Sequence, residues 1–297
     1  MPRLGSHMSI AGGLPLAVER AKIHGCDALQ IFSKSSNQWR ARELPREEIA
    51  EFRDKVERAS IRPVVAHASY LINLATAEPV LRERSILAFG EEIDRAEALG
   101  LLGVVIHPGC FTSGTEDGGI RLVADAVRRV LKTRRRGKAL VILEHTAGQG
   151  TSLGWRFEQL ARMIEHLDGH PRVGVCLDTC HMWGAGYDLA SEAGYHATFE
   201  SFERMVGLDR LRVFHVNDSK KPLGSRRDRH EHIGQGTIGR EAFRRLLNDA
   251  RFDALPMILE TPKTEGRRAT SVEKDPLDVG NLRTLRALLA RGRDGRR

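Results

Sequence analysis

Hydrophobic residues along the chain alternate between short apolar runs and longer segments with helical spacing. Eight runs rich in apolar or β-branched residues are predicted strands, at 3–8, 28–33, 64–69, 103–109, 140–146, 173–181, 211–218 and 257–262. Between them, apolar residues recur every three or four positions, as Ile49, Phe52 and Val56 do within 47–58. The other predicted helices are 80–99, 120–133, 157–167, 199–206, 241–248 and 282–289.

Alternation of strand-like and helical segments predicts a (β/α)8 barrel, because strict alternation gives a parallel sheet and eight repeats can close it. The alternative is an open, doubly wound sheet, which normally carries a glycine-rich first turn. The segment Ala11-Gly12-Gly13-Leu14 does not match such a dinucleotide-binding turn. Since no linker divides the chain, we predict one barrel domain over residues 1–290 and a basic, disordered tail over 291–297.

The stretch Gly5-Ser6-His7-Met8 resembles the remnant of an affinity tag, which would not belong to the fold. No run of histidines accompanies it, and the count of eight strands needs residues 3–8 as the first. We therefore interpret it as a barrel strand with His7 at its carboxyl end.

The composition narrows the class of protein. A net charge of +8 and a pI of about 9.6 favour polyanionic partners, nucleic acid first. Four cysteines are too few for a disulfide scaffold and fit a reducing cytosol. No apolar run approaches the roughly 20 residues that span a bilayer. We expect a cytoplasmic protein without a membrane partner.

Polar residues with metal-binding side chains follow six consecutive predicted strands. In a barrel, the carboxyl ends of the strands meet at one rim, where the chemistry takes place. The candidates at this rim are His67, His107, Glu144, Asp178, His181, His215, Asp228, His230 and Glu260. Each of them alone is more often a hydrogen-bonded structural histidine or a helix cap.

Taken together, these nine side chains indicate a metal centre. Carboxylates on apolar strands are costly to bury unless they are paired or metal-bound. Nitrogen and oxygen donors suit zinc and similar divalent ions, and nine donors exceed the needs of one tetrahedral ion. Two or three ions with a bridging carboxylate fit the count. Such a cluster favours hydrolysis at phosphorus, since two ions can generate hydroxide and stabilise the leaving oxygen.

Cysteine offers an alternative ligand. Cys176, Asp178 and Cys180 share one face if the sixth strand continues through them. We interpret both cysteines as packing residues, with a thiolate ligand as the alternative.

The order and spacing of these motifs resemble the endonuclease IV family of metal-dependent apurinic/apyrimidinic endonucleases. The resemblance runs from about Leu4 to Leu289. The motifs that carry it are HASYLINL (67–74), HPG (107–109), EHTAGQG (144–150), CLDTCH (176–181), GYDL (186–189), HVNDSK (215–220), DRHEHIGQG (228–236) and LETPK (259–263). The resemblance implies a TIM barrel of the xylose isomerase-like superfamily and three zinc ions, although such ligands also accept manganese.

The resemblance also implies a division of the ligands among the ions. His67 and His107 would bind the first zinc, and Glu144 would bridge it to a second. Asp178, His215 and Glu260 would complete the second site. The third would consist of His181, Asp228 and His230. Glu144, Asp178, His181 and Glu260 are the residues expected to be catalytic. His7 would not be a ligand and would instead support the ligands or face a phosphate.

The reaction that the resemblance implies is hydrolysis of the phosphodiester 5′ to an abasic site in double-stranded DNA. Its products are a 3′-hydroxyl and a 5′-deoxyribose phosphate, and the family also trims blocked 3′ ends. Tyr70 and Leu71 match the family's wedge, which fills the gap left by the extruded sugar. Core packing is the alternative interpretation of Leu71.

Further residues on the predicted rim are expected to contact DNA. Trp39 and Arg40 match the family's motif QWR. Asn37 departs from it, because many members carry at this position an arginine that belongs to the DNA-inserting loop. The way in which this loop fills the gap in the DNA is therefore expected to differ here. Basic residues there can bind phosphates in a salt-dependent manner. They are Lys220, Lys221, Arg226, Arg227 and Arg229, with Lys263, Arg267 and Arg268 beyond the last strand.

Two other classes of protein compete with this prediction. One is a sugar isomerase or epimerase of the same superfamily, which needs one or two ions and fewer histidines. The other is a DNA-binding protein that kept the fold without activity, but such a protein is expected to have lost a ligand. We expect a monomeric repair enzyme that acts at the bacterial nucleoid.

Overall fold

The computed structural model describes residues 1–266 and 270–290, and eight parallel strands form a closed barrel in it. Around the barrel the strands follow the order β1-β10-β7-β6-β5-β4-β3-β2. The remaining two strands, β8 and β9, form a short antiparallel pair beyond β7. The strands are β1 (Arg3–Met8), β2 (Ala28–Phe32), β3 (Val64–His67), β4 (Gly103–Ile106), β5 (Leu140–Glu144), β6 (Val173–Asp178), β7 (Leu211–His215), β8 (Asp218–Ser219), β9 (His230–Glu231) and β10 (Pro256–Leu259).

Nine α-helices occur within the described residues. They are α1 (Leu14–His24), α2 (Arg46–Ala59), α3 (Pro79–Leu99), α4 (Glu116–Lys132), α5 (Phe157–His166), α6 (Thr179–Ala185), α7 (Glu192–Met205), α8 (Arg240–Asn248) and α9 (Pro276–Leu288). Several begin at a side-chain cap: the Glu78 carboxylate, for example, accepts from the backbone N–H groups of Val80 and Leu81.

The predicted barrel is confirmed, and β1 shows that residues 3–8 belong to the fold. Seven predicted helices have counterparts, whereas α1 and α6 were not predicted. The predicted strand 173–181 is wrong at its end, because β6 stops at Asp178. The Asp178 carboxylate there accepts from the backbone N–H of His181 at 2.9 Å and so begins α6. Cys180 therefore lies on a helix and does not share a strand face with Asp178.

Two separate clusters form the core. The larger lies between the strands and the surrounding helices. The smaller, here called the apolar layer, fills the barrel with one side chain from each of seven strands: Ala28, Val65, Val105, Ile142, Cys176, Val213 and Ile258. On the eighth strand Gly5 occupies this level, because a Cβ there would lie 2.1 Å from the carbonyl oxygen of Ala28.

Some predictions fall on parts of the chain that are not described. The tail 291–297 and the basic residues Arg267 and Arg268 lie outside the described residues. None of the helices within 1–266 and 270–290 has the length and apolar content needed to cross a membrane.

Candidate metal centre

A ring of polar side chains lies directly above the apolar layer. Successive residues of a strand face opposite sides, so a residue two positions further along faces the same way. Two positions after each residue of the apolar layer, and after Gly5, the chain carries a polar residue. These eight residues, here called the polar ring, are His7, Gln30, His67, His107, Glu144, Asp178, His215 and Glu260. Six of them are predicted metal ligands.

Glu144 lies at the centre of the ring, fully buried. Its Oε2 atom is 3.1 Å from His67 Nε2 and 3.2 Å from His107 Nε2. Its Oε1 atom is 2.9 Å from His215 Nδ1 and 3.3 Å from His181 Nδ1. The two carboxylate oxygens therefore face different histidines, which is the arrangement of a carboxylate that can bridge two ions.

A second group of ligand atoms surrounds His215. Its Nδ1 is 3.0 Å from Glu260 Oε2 and 3.9 Å from Asp178 Oδ2. Glu144, Asp178, His215 and Glu260 together offer four ligand atoms that lie within 4.8 Å of one another. This number of nitrogen and oxygen donors fits one tetrahedral zinc ion.

A third group lies beside α6 and β9. Asp228 is 3.2 Å from His181 Nε2 through Oδ2 and 3.1 Å from His230 Nε2 through Oδ1. His230 Nε2 also lies 3.5 Å from Asp178 Oδ2. All nine predicted ligands are thus brought together at one rim.

Hydrogen bonds on the outer ring nitrogens fix which nitrogen of each histidine faces the centre. Nδ1 of His67 donates to the carbonyl of Ala68, and Nδ1 of His181 donates to the carbonyl of His145, both at 2.8 Å. Nδ1 of His230 is 3.1 Å from the carbonyl of Glu260. Once an ion displaces its proton, the opposite nitrogen can present a lone pair to the centre, as in metal sites where histidine donates its second N–H to a fixed acceptor.

The charges of the metal-free site are balanced between histidines and carboxylates. Burial opposes ionisation of Glu144, but the neighbouring His215 and His107 outweigh it and hold the carboxyl pKa well below its usual range. Burial likewise disfavours charge on His230, yet Asp178 and Asp228 raise its pKa to about 9. Glu144 is therefore already ionised, as a metal ligand must be, whereas His230 must lose its proton when an ion binds.

One buried nitrogen tests whether these residues fit metal ions. His230 Nε2 makes no hydrogen bond within the described residues, although it faces two carboxylates. A buried polar atom without a partner is costly. His230 Nε2 and Asp228 Oδ1 point to a common space without a hydrogen bond between them, as two ligands of one metal ion do. The residues therefore fit metal ions.

The structure places Cys176 and Cys180, the two cysteines of the motif CLDTCH, differently. Cys176 lies in the apolar layer, within 4.8 Å of the ligand atoms of Glu144 and His215. Burial raises its pKa to about 12, which keeps it a thiol in the metal-free protein. Cys180 lies near Asp228 and His230. Both cysteines are buried, and their interpretation as packing residues, with a thiolate ligand as the alternative, stays a prediction.

Two buried side chains of the site were not predicted. The Asn217 amide donates to Asp178 Oδ2 at 2.7 Å and accepts from the backbone N–H of Glu260 at 2.8 Å. Gln30, fully buried on β2, contacts His7, His215 and Glu260. A polar residue two positions after Ala28 in the apolar run ALQIF was the available sequence signal.

The predicted wedge lies beside the ring. Tyr70 is 68% exposed, which is unusual for a tyrosine, and its ring lies 5.8 Å from that of His67 and 5.5 Å from that of Phe32. Leu71 is half-buried. An aromatic side chain that stands free above the metal ligands is placed to contact a substrate.

The predicted DNA-contacting residues of the loop after β2 differ in exposure. Asn37 and Arg40 are exposed. Trp39 is half-buried, packs against the core, and carries the guanidinium of Arg84 at 4.3 Å from its ring centre. Trp39 thus has a structural role, and its contact with DNA stays a prediction.

The basic residues of the loop between β8 and β9 are exposed. Lys220 and Arg229 lie at the ends of the antiparallel pair, where the backbone N–H of Lys220 donates to the Arg229 carbonyl at 2.9 Å. Arg226 has a left-handed backbone, with φ of 52°, and its guanidinium lies 3.9 Å from the ring centre of Trp155. Their contact with DNA phosphates stays a prediction.

His7 lies on the polar ring, as expected for the end of β1. Its Nδ1 is 3.0 Å from Gln30 Nε2 and 3.5 Å from Glu260 Oε1. Burial lowers the pKa of His7 despite the neighbouring Glu260, so the imidazole of His7 is neutral at pH 7. His7 is therefore in contact with a predicted ligand.

Comparison with known proteins gives the class first. A family model described as a xylose isomerase-like TIM barrel matches residues 18–279. The structure of a D-psicose 3-epimerase has a TM-score of 0.69, covers 96% of this chain and 97% of its own, and is 14% identical, which shows a common fold alone. The molecule is a barrel of the xylose isomerase-like class with a histidine- and carboxylate-rich rim.

Two nearer relatives define the family. A protein named probable endonuclease 4 from Chloroflexus aggregans is 50% identical over 285 residues, which are 96% of this chain and 98% of the relative. The crystal structure of endonuclease IV from Thermus thermophilus is 39% identical, with a TM-score of 0.84 and coverage of 97% of this chain and 98% of that one. The chain belongs to the endonuclease IV family of DNA-repair nucleases.

Proposed function

We propose that this protein hydrolyses the phosphodiester 5′ to an abasic site in double-stranded DNA. The reaction would leave a 3′-hydroxyl and a 5′-deoxyribose phosphate. The observation that carries the proposal is the convergence of nine histidine and carboxylate ligands on one rim, in three groups that overlap at Glu144 and Asp178. A sugar epimerase of the same fold has no need of so many ligands.

Three zinc ions per chain are proposed as the cofactor, with manganese as an alternative occupant of the same ligands. His67, His107 and Glu144 would hold the first, Asp178, His215 and Glu260 with Glu144 the second, and His181, Asp228 and His230 the third. When bound, the ions would supply Lewis acidity to the phosphodiester and to an attacking water.

The protein's own residues arrange the reacting groups. Glu144, Asp178, His181 and Glu260 are the proposed catalytic residues, because their atoms border more than one ligand group or lie between them. Glu144 turns one oxygen to His67 and the other to His215, at 3.1 and 2.9 Å. The proposed reaction needs no serine or cysteine nucleophile. The role of these four side chains is to hold their carboxylate oxygens and imidazole nitrogens in fixed positions.

Binding of damaged DNA is proposed to use the exposed surface around the ring. An abasic sugar within a duplex is reached only after extrusion, which leaves a gap in the base stack. Tyr70 is exposed beside His67, and we propose that Tyr70 and Leu71 fill this gap. Arg40, Lys220, Arg226 and Arg229 would bind phosphates, with Asn37 and Trp39 in the adjoining loop.

The test is incubation of the zinc-loaded protein with a duplex that carries one abasic site. Incision with a 3′-hydroxyl on the 5′ side of the lesion is expected, with an undamaged duplex as the control. Cleavage only on the 3′ side, or no incision by protein that binds zinc, would contradict the proposal. A duplex with a 3′-phosphate at a nick tests the trimming of blocked 3′ ends separately.

A further inference from the structure

Gln30 occupies an unexpected place for an uncharged amide. It lies on β2 within the apolar run ALQIF and is fully buried. A buried amide is costly unless its donors and acceptor are satisfied. Every contact that satisfies Gln30 is made to another residue of the polar ring: His7, His215 and Glu260.

The orientation of this amide is determined by Glu260. Gln30 Nε2 lies 2.6 Å from Glu260 Oε1, and a carboxylate oxygen can only accept. The amide nitrogen must therefore face Glu260, which places Oε1 of Gln30 at 2.8 Å from His215 Nε2. Since the amide oxygen can only accept in turn, His215 Nε2 must carry a proton.

The protonated Nε2 has a consequence for metal binding. An imidazole that binds an ion is neutral and has one protonated nitrogen, so His215 Nδ1 would carry the lone pair once its proton is displaced. That atom lies 2.9 Å from Glu144 Oε1 and 3.0 Å from Glu260 Oε2, in the middle of the second ligand group. Gln30 also occupies Glu260 Oε1 and thereby leaves Oε2 to face the centre.

His215 differs in this respect from the histidines described above. His67, His181 and His230 place their outer Nδ1 against backbone carbonyls, which no substitution removes. His215 alone among these four uses a side chain that can be replaced. The orientation of the His215 ring within the second ligand group thus depends on a side chain outside that group.

We propose that Gln30 is a positioning residue for the second zinc site, where it holds His215 in the tautomer that binds through Nδ1 and turns Glu260 Oε2 inward. This inference rests on the metal centre of the proposed function. Loss of such an outer partner typically weakens metal affinity or activity about 10- to 100-fold.

The test compares two substitutions of Gln30 in the full chain. Gln30→Met keeps the length of the side chain but removes every hydrogen bond, and Gln30→Glu keeps the acceptor for His215. Zinc affinity is measured by competition with a chromogenic chelator, and the protonation of His215 by ¹⁵N NMR of the zinc-loaded protein. We expect Gln30→Met to weaken one zinc site about 10- to 100-fold and to alter the His215 signals.

Gln30→Glu should preserve the protonated Nε2 of His215, because a carboxylate accepts from it as the amide does. This variant also decides the matter if Gln30→Met does not fold: loss of the Nε2–H signal in Gln30→Glu would overturn the proposal. Wild-type zinc affinity and unchanged His215 signals in folded Gln30→Met would overturn it too.

A matched control distinguishes positioning from simple loss of a buried amide. Gln159 is equally buried, and its Oε1 accepts from the backbone N–H groups of Gly154 and Trp155 at 2.8 and 3.1 Å. Gln159→Met should lower thermal stability without changing His215 signals or zinc affinity. Equal effects of both substitutions on zinc affinity would reduce Gln30 to a structural role. Failure of the wild-type chain to bind zinc would instead refute the metal centre itself.

Discussion

The apolar layer and the polar ring are built by the same strands and face the same interior, yet they are stabilised in opposite ways. Ile142 and Glu144 stand two residues apart on β5, and both are fully buried. Ile142 gains from being removed from water. Glu144 loses hydration and retains its charge only because histidines surround it. The apolar layer stabilises the fold, and part of that stability offsets the cost of burying the charged side chains of the polar ring.

The largest difference should appear on substitution of Glu144. Glu144→Gln keeps the shape of the side chain but removes the charge between the ligand groups. Several kcal/mol less stabilisation of the transition state corresponds to a fall in incision rate of about 10³-fold or more. Single-turnover incision of an abasic duplex measures this, and DNA binding should stay largely intact. Turnover near the wild-type rate would remove the bridging role.

The neighbouring substitution in the apolar layer should show the reverse pattern. Ile142→Ala leaves a cavity under the ring and is expected to lower the free energy of unfolding by about 2–5 kcal/mol. Zinc bound per folded chain should remain unchanged, because no ligand is altered. Denaturant unfolding and metal analysis of the folded fraction give both quantities. If zinc were lost without a loss of stability, the two layers would not be independent.

Removal of zinc should make stability depend on pH through the titratable side chains of the metal centre. Burial disfavours charge on His230, but Asp178 outweighs it and raises the pKa from 6.5 to about 9, which corresponds to on the order of 3 kcal/mol. Because this pKa is raised on folding, the contribution is fully present below about pH 6.5 and is lost as the pH rises through about 9.

The carboxylates act in the opposite direction in the metal-free protein. The pKa of Glu144 and of Glu260 is held low against burial by His215, so their contribution is present above about pH 4.5 and is lost in acid. Thermal unfolding after chelation measures both limbs. Zinc-loaded protein should instead gain stability from pH 6.5 to 9, as displaced protons are released. Parallel curves with and without zinc would contradict this account of the ring.

The smallest expected effect lies above both layers, at the exposed wedge. Tyr70→Ala should weaken binding of an abasic duplex about tenfold relative to an undamaged one, given that aromatic stacking on a base contributes about 1–3 kcal/mol. Leu87, 66% exposed on α3, offers a control for loss of exposed apolar surface. Equal weakening on both duplexes would exclude Tyr70 as a sensor of damage.

The strands were predictable because burial on both faces produces continuous apolar runs. Each predicted strand began within one residue of the observed one, but all the predicted ends except that of β1 were placed too late. At β6 the reason is local, since Asp178 is at once the last strand residue and the cap of α6. A side chain that serves both roles leaves no break in the hydrophobic pattern. The helix α1, with Pro15 in its first turn, also escaped detection.

The nine candidate ligands could be predicted because their side-chain chemistry is distinctive. Gln30 and Asn217 were missed, since an amide is not a usual zinc ligand and its contacts exist only in three dimensions. Orientation of the histidine rings is equally invisible in sequence, because it depends on backbone carbonyls such as that of Ala68. Candidate ligands can thus be identified from the sequence, whereas their orientation and protonation depend on contacts that form only in the folded protein.

Closure of the barrel between β1 and β10 has a consequence for the protein during its synthesis. In that closure Arg3 pairs with Pro256, and Glu260 follows directly after β10. A growing chain therefore lacks a complete ring until Glu260 has left the ribosome. Partial chains that end before this point hold histidines and carboxylates on separate segments, without the second ligand group. We expect a nuclease built in this way to stay inactive during synthesis until β10 has joined the barrel.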